Sequence, residues 1–178
     1  MNLKKQLADR IYIVDIKNII KYVKGDAERK LELYKLLFDS DMKVAYHAGW
    51  VMSHFFQKEN EWLFERRNEL IDLAMTCEHP GLRRQLLTIL YRQPLADSER
   101  VDFLDFCLEG IFSLQHPLAV QSLCIKIAYE LCRSIPELKG ELRAALEMMD
   151  DEELSPAILA AKRNVLHAMK TGKSLQKH

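Results

Sequence analysis

Four stretches of this chain repeat one apolar pattern at a fixed interval, and that regularity limits the fold more than any other feature. They are VAYHAGWVMSHFF from Val44, LRRQLLTILYR from Leu82, VQSLCIKIAYELC from Val120 and ILAAKRNVLHAMK from Ile158, each starting 38 residues after the last. Seven residues on stand Val51, Ile89, Ile127 and Val165; eight residues on stand Met52, Leu90, Ala128 and Leu166. Apolar residues at 0, +7 and +8 form one stripe of an amphipathic helix. Four such helices in phase mean stacked repeat units, each covering the apolar face of its neighbour.

The punctuation agrees. His79-Pro80, His116-Pro117 and Ser155-Pro156 place a capping residue before a proline, and Asp41 takes that role in the first unit. Proline suits a first helical turn because its missing N–H has no intrahelical partner there. The spacing predicts second helices over 42–57, 80–93, 117–133 and 157–170. Partner helices are predicted over 27–39, 60–76, 98–114 and 137–150, with Asp26, Asn60, Ser98 or nearby residues as caps. Gly25 ends an N-terminal helical region over 3–24, whose apolar face includes Ile13, Ile16, Ile20 and Val23. That segment, 1–25, is expected to cap one end of the stack, with 26–178 forming the repeats of a single domain.

The period near 40, two helices per unit and the Asp41-x-x-Val44 start resemble HEAT repeats over about residues 26–170. The resemblance implies an all-α, right-handed α-α superhelix of about four helix pairs, with the second helix of each pair lining its concave side. A basic residue usually follows the Val position; Ala45 departs from this in the first unit and Arg83 supplies it in the second. A more distant likeness is to the bacterial alkylpurine DNA glycosylases built on the same repeats. The adenylosuccinate lyase family requires a Ser-rich signature loop and a long helical bundle, and the chain has neither.

Charge is sorted by helix. The chain carries 26 acids and 26 bases, so its net charge is zero and only placement carries information. The second helices hold Lys43, Arg83, Arg84, Arg92, Lys126, Arg133, Lys162, Arg163 and Lys170, but a single acid, Glu130. At about 100° per residue, positions +2, +6, +9 and +13 lie opposite the apolar arc. They include Tyr46, Trp50, Arg84, Tyr91, Lys126, Tyr129, Arg133 and His167, the expected binding residues of the concave face. Aromatics interleaved with cations suit anion recognition and stacking. Two readings stay open: internal pairing with acidic neighbours, or a groove for a partner.

Little else points to chemistry. His47 and His54 are seven apart with no carboxylate beside them, which does not make a metal pair. There is no Gly-rich phosphate loop, GxSxG or HExxH motif. A glycosylase needs a carboxylate in the cleft, and the concave face has none. Cys77, Cys107, Cys124 and Cys132 lack a metal or disulfide spacing and read as reduced, mostly buried thiols of a cytoplasmic protein. No stretch has the length of a membrane span or of a signal-peptide core. The expectation is a non-catalytic scaffold, without cofactor or metal, that binds an acidic protein segment. The alternative is a nucleic-acid-binding protein of DNA-repair type.

Overall fold

The computed structural model describes residues 1–96 and 98–176, and every regular element among them is helical. Two compact units divide the chain, Met1–Ile89 and Leu90–His178. The protein is all-α and built of stacked helices, consistent with a HEAT-like solenoid.

The first unit begins with α1 (Leu3–Ala8) and α2 (Ile13–Val23), then α3 (Ala27–Lys35), which tightens into a 3-10 turn over Leu36–Phe38. Next come α4 (Met42–Ser53), α5 (Gln57–Trp62), a 3-10 turn over Phe64–Arg66, α6 (Arg67–Thr76) and α7 (Pro80–Tyr91), whose last turn holds the unit boundary. Both α1 and α2 pack on α4. The expected helical region over 3–24 consists of two helices. Asp9 turns extended, and the chain restarts where the Asp15 carboxylate accepts the Tyr12 N–H at 2.8 Å. The restart leaves Ile13 49% exposed, whereas Ile16, Ile20 and Val23 are buried as expected. Gly25, at φ 74°, supplies the left-handed residue that ends α2.

The second unit comprises α8 (Val101–Ile111), α9 (Leu118–Cys132), α10 (Pro136–Glu147), a 3-10 turn over Asp151–Glu153 and α11 (Pro156–Met169). At its centre, α9 packs on α8, α10 and α11. Burial follows the repeat phase closely. Val44, Leu82, Val120 and Ile158 are buried, as are all four +7 residues; of the +8 residues only Leu166 is partly exposed.

Caps fall largely where they were expected. Asp26 accepts from the Arg29 N–H, Asp41 from Lys43, and Ser155 from Ile158. The His79 ring accepts the Leu82 N–H at 3.1 Å. Asn60 is not a cap; it lies inside α5 and is buried. Pro117 sits at the cap of α9 rather than in its first turn.

In the two middle repeats the residue after the first apolar position has a definite job. Arg83 donates from Nε to the Ala74 carbonyl at 2.8 Å and from Nη2 to the Cys77 carbonyl, tying down the end of α6. One period later, Gln121 donates to the Ser113 and His116 carbonyls, both at 2.9 Å, behind α8. Arg83 thereby satisfies carbonyls that a helix end leaves unpaired, and Gln121 pins the loop between α8 and α9. Leu159 cannot do this in the last unit. There Lys162, 7% exposed in an otherwise apolar column, reaches the Met149 carbonyl at 2.7 Å and the Asp151 carboxylate at 2.6 Å.

All four cysteines are free and buried. Burial, then a shared hydrogen bond with Cys124, pushes the Cys107 thiol well above its ordinary value. Burial raises Cys132 to about 11. All four serve as packing groups inside the helical stack.

Candidate binding face of the second helices

The second helices hold nearly all the expected site residues, but the two units present them differently. In the first unit the exposed side of α4 is aromatic. Tyr46 stacks on His79 with centroids 4.9 Å apart, and Gly81 leaves the room: a Cβ there would lie 2.7 Å from the Tyr46 ring. Trp50 meets His54 edge-on at 6.5 Å. His47 is buried and donates from Nδ1 to the Leu7 carbonyl at 2.7 Å, so it fastens α1 to α4 rather than serving as a ligand. Tyr46 and Trp50 are half-buried, and Arg84 is exposed on α7.

In the second unit, Tyr91, Arg92, Lys126, Asn164 and Leu175 line a pocket of about 420 Å³. The Lys126 ammonium lies 5.5 Å from the Tyr91 ring centroid. Burial and the charge of Glu130 raise the Tyr91 phenol to about 12, so it stays a neutral donor. Burial lowers the Arg92 guanidinium from its ordinary value, yet guanidinium is charged throughout the working pH range. His167 is exposed on α11.

Two expectations need correction here. Tyr129 was expected on the open face, but it has no accessible surface. Its hydroxyl donates to the Lys173 carbonyl at 2.6 Å, because residues 172–176 fold back over α9. Arg133 is likewise engaged: Nη1 donates to the Gly172 carbonyl at 3.2 Å, and Nε lies 3.3 Å from Glu130. The last approach is an ion pair and not an aligned hydrogen bond, since Nε has no hydrogen-bond partner. Glu130 itself is 0% exposed. Its oxygens accept from the Ser174 hydroxyl at 2.9 and 3.0 Å and from the Leu175 N–H at 2.6 Å. Gln176 completes the strap by donating its amide to the Tyr91 and Gln93 carbonyls, both at 2.6 Å. The strap leaves α11 through Gly172, at φ 69°.

The strap escapes a reading based on helical period because it has none. The one clue was Glu130, the lone acid among four acid-poor helices. A second feature also lay outside the periodic reading. On the first helices of the first unit, Arg66 stacks over Trp62 at 3.9 Å, Lys30 lies 5.3 Å from the same ring, and the Tyr34 hydroxyl donates to Glu69 at 2.9 Å.

Some of the expected basic face is used internally. Arg83, Arg133 and Lys162 each hold a helix end or a turn, and Arg163 adds to the Asp151 pair at 3.5 Å. Lys43, Arg84 and Lys170 are exposed, and Lys126 is half-buried beside the pocket. Among the described residues, no group of three or more His, Cys, Asp or Glu is placed to hold a metal ion. No helix among them is long and apolar enough to cross a membrane.

No curated protein and no solved structure matches the chain. A family model described as a HEAT repeat domain matches residues 3–169 and takes in α1 and α2 as well as the four in-phase helices. By its helix pairs, their 38-residue phase and that match, the chain belongs to the HEAT repeat family.

Proposed function

We propose that this protein is a non-catalytic interaction scaffold whose second-helix face takes an acidic segment of a partner protein. HEAT-repeat folds are generally associated with protein–protein scaffolding, and their stacked second helices form extended binding surfaces. One observation carries the charge preference: the only acid on α4, α7, α9 and α11 is Glu130, which has no accessible surface. In the first unit these helices present Lys43 and Arg84, and in the second Lys126 and, just past α11, Lys170, with no exposed carboxylate on the helices themselves. In the second unit the Tyr91–Arg92–Lys126 pocket is the anchor in this reading; in the first unit Tyr46 and Trp50 offer contact area of their own. His167 stands at the exposed edge of α11.

Fluorescence anisotropy with a labelled Asp/Glu-rich peptide tests the proposal. Lys126→Glu is expected to weaken binding about tenfold or more, and Arg84→Glu less, because Arg84 is exposed whereas Lys126 is half-buried. Binding that neither substitution alters would sink the reading. Duplex and single-stranded DNA probes at low salt form the second arm. DNA binding with a steep salt dependence, without peptide binding, would install the nucleic-acid alternative instead.

A further inference from the structure

The strap over α9 is bound as a peptide is bound. Residues 173–176 have no regular secondary structure. Their polar groups go to the receptor helices almost one by one. Arg133 and Tyr129 take two successive carbonyls, those of Gly172 and Lys173. Glu130 takes the Ser174 hydroxyl and the next N–H, and the Tyr91 and Gln93 carbonyls take the Gln176 amide. Leu175 forms one wall of the Tyr91–Lys126 pocket. Within the strap, the Gln176 N–H donates to the Ser174 hydroxyl.

Glu130 makes this arrangement informative. A carboxylate without accessible surface is costly unless donors surround it. Among the described residues, Arg133 at α9's own end supplies the charge, and the strap supplies the hydrogen bonds. The α9 groove therefore requires an occupant that brings a hydroxyl and a backbone N–H to one carboxylate. Hydrogen bonds to backbone carbonyls and N–H groups tolerate many sequences, whereas the hydroxyl and amide side chains select among them.

We propose that the α9 groove recognises an extended peptide carrying a hydroxyl residue, then an apolar residue, then a carboxamide, and that residues 172–176 are its built-in competitor. The inference rests on the scaffold reading above and names how the partner lies. Its backbone follows the strap's path, with the apolar residue in the place of Leu175 and any acidic side chain beyond it facing Lys126 and Arg92. The tether favours the strap by holding it at high local concentration. Yet Lys173 is exposed, residues 174–176 are only half-buried, and the strap has no regular secondary structure of its own to hold it in place.

The test uses the full chain carrying Ser174→Ala/Gln176→Ala, which weakens the strap without touching α9. The probe is a fluorescein-labelled peptide with the strap's own sequence, Gly-Lys-Ser-Leu-Gln, capped at both ends. The double variant is expected to bind it about tenfold or more tightly than the unaltered chain does. Adding Glu130→Gln is expected to abolish that gain. Hydrogen exchange gives a readout independent of variants: excess peptide added to the unaltered chain is expected to speed exchange at the Leu175 amide. Equal affinity for both chains, or unchanged Leu175 exchange at saturating peptide, overturns the inference. Failure here with intact acidic-peptide binding leaves the scaffold reading standing; strap-peptide binding without acidic-peptide binding does the reverse.

Discussion

Tyr129 in the second unit and Tyr46 in the first were expected to share an open face, yet one is sealed and the other is half-open. Both stand opposite the apolar stripe of a second helix. The difference is cover. Around Tyr46 the neighbours are rings, His79 and His47, that leave an edge in solvent. Over Tyr129 lies a strap that takes its hydroxyl. Helical phase decides which side chains face the core, but it does not decide what else lies across the other side.

The largest expected effect tests that contrast directly. Tyr129→Ala is expected to cost about 3–5 kcal/mol in urea denaturation, the range for a buried aromatic. Tyr46→Ala is expected to cost about 1 kcal/mol, as for a partly exposed site. Similar losses at both positions would remove the distinction.

A smaller effect separates two tight glycines. A Cβ at Gly110 would lie 2.7 Å from the Cys124 sulfur, inside the α8–α9 core. Gly110→Ala is expected to cost about 1–3 kcal/mol through overpacking. At Gly49 the nearest atoms are the Gln85 Oε1 at 2.7 Å and a Leu82 methyl at 2.8 Å. The Gln85 amide is buried with no hydrogen-bond partner on either atom, so moving it breaks no bond. Gly49→Ala is therefore expected to cost less than Gly110→Ala, and thermal melts of the pair check the order. Gly140, by contrast, has no atom within 4 Å of its would-be Cβ. Gly140→Ala should stabilise α10 by about 0.5–1 kcal/mol, and a lower melting point would contradict that.

The smallest effect is acidic. Asp39 hydrogen-bonds to Lys4, and Asp151 to Lys162, which holds both carboxyls below their ordinary value near 3.8. Their stabilisation is complete above that pH and is lost as pH falls through the lowered values. Asp39→Asn and Asp151→Asn should each flatten the acid limb of stability against pH. A limb unchanged in both variants would show that these pairs contribute nothing.

The fold was legible because its causes are local and repeated. Period, proline positions and the caps Asp26, Asp41 and Ser155 each act within a few residues. The breaks at Asp9–Tyr12 and Leu63–Arg66 were not legible, since the apolar pattern runs through them while the backbone turns. Lys162 was counted among the bases of the second helices although it occupies an apolar column; its partners, Met149 and Asp151, lie 13 and 11 residues away. The candidate face was legible in composition only. Which of its cations stay available depends on helix ends and on the strap, whose bonds span 39 to 85 residues of chain.

That separation has a consequence for the order of synthesis. Glu130 leaves the ribosome 44 residues before Ser174. At about 5–20 residues per second, its hydrogen-bond donors arrive roughly 2–9 s later. For that interval a nascent α9 holds an uncovered carboxylate beside a half-built apolar surface. A chaperone, or a binding partner met during translation, would find the groove vacant before its resident segment exists to compete.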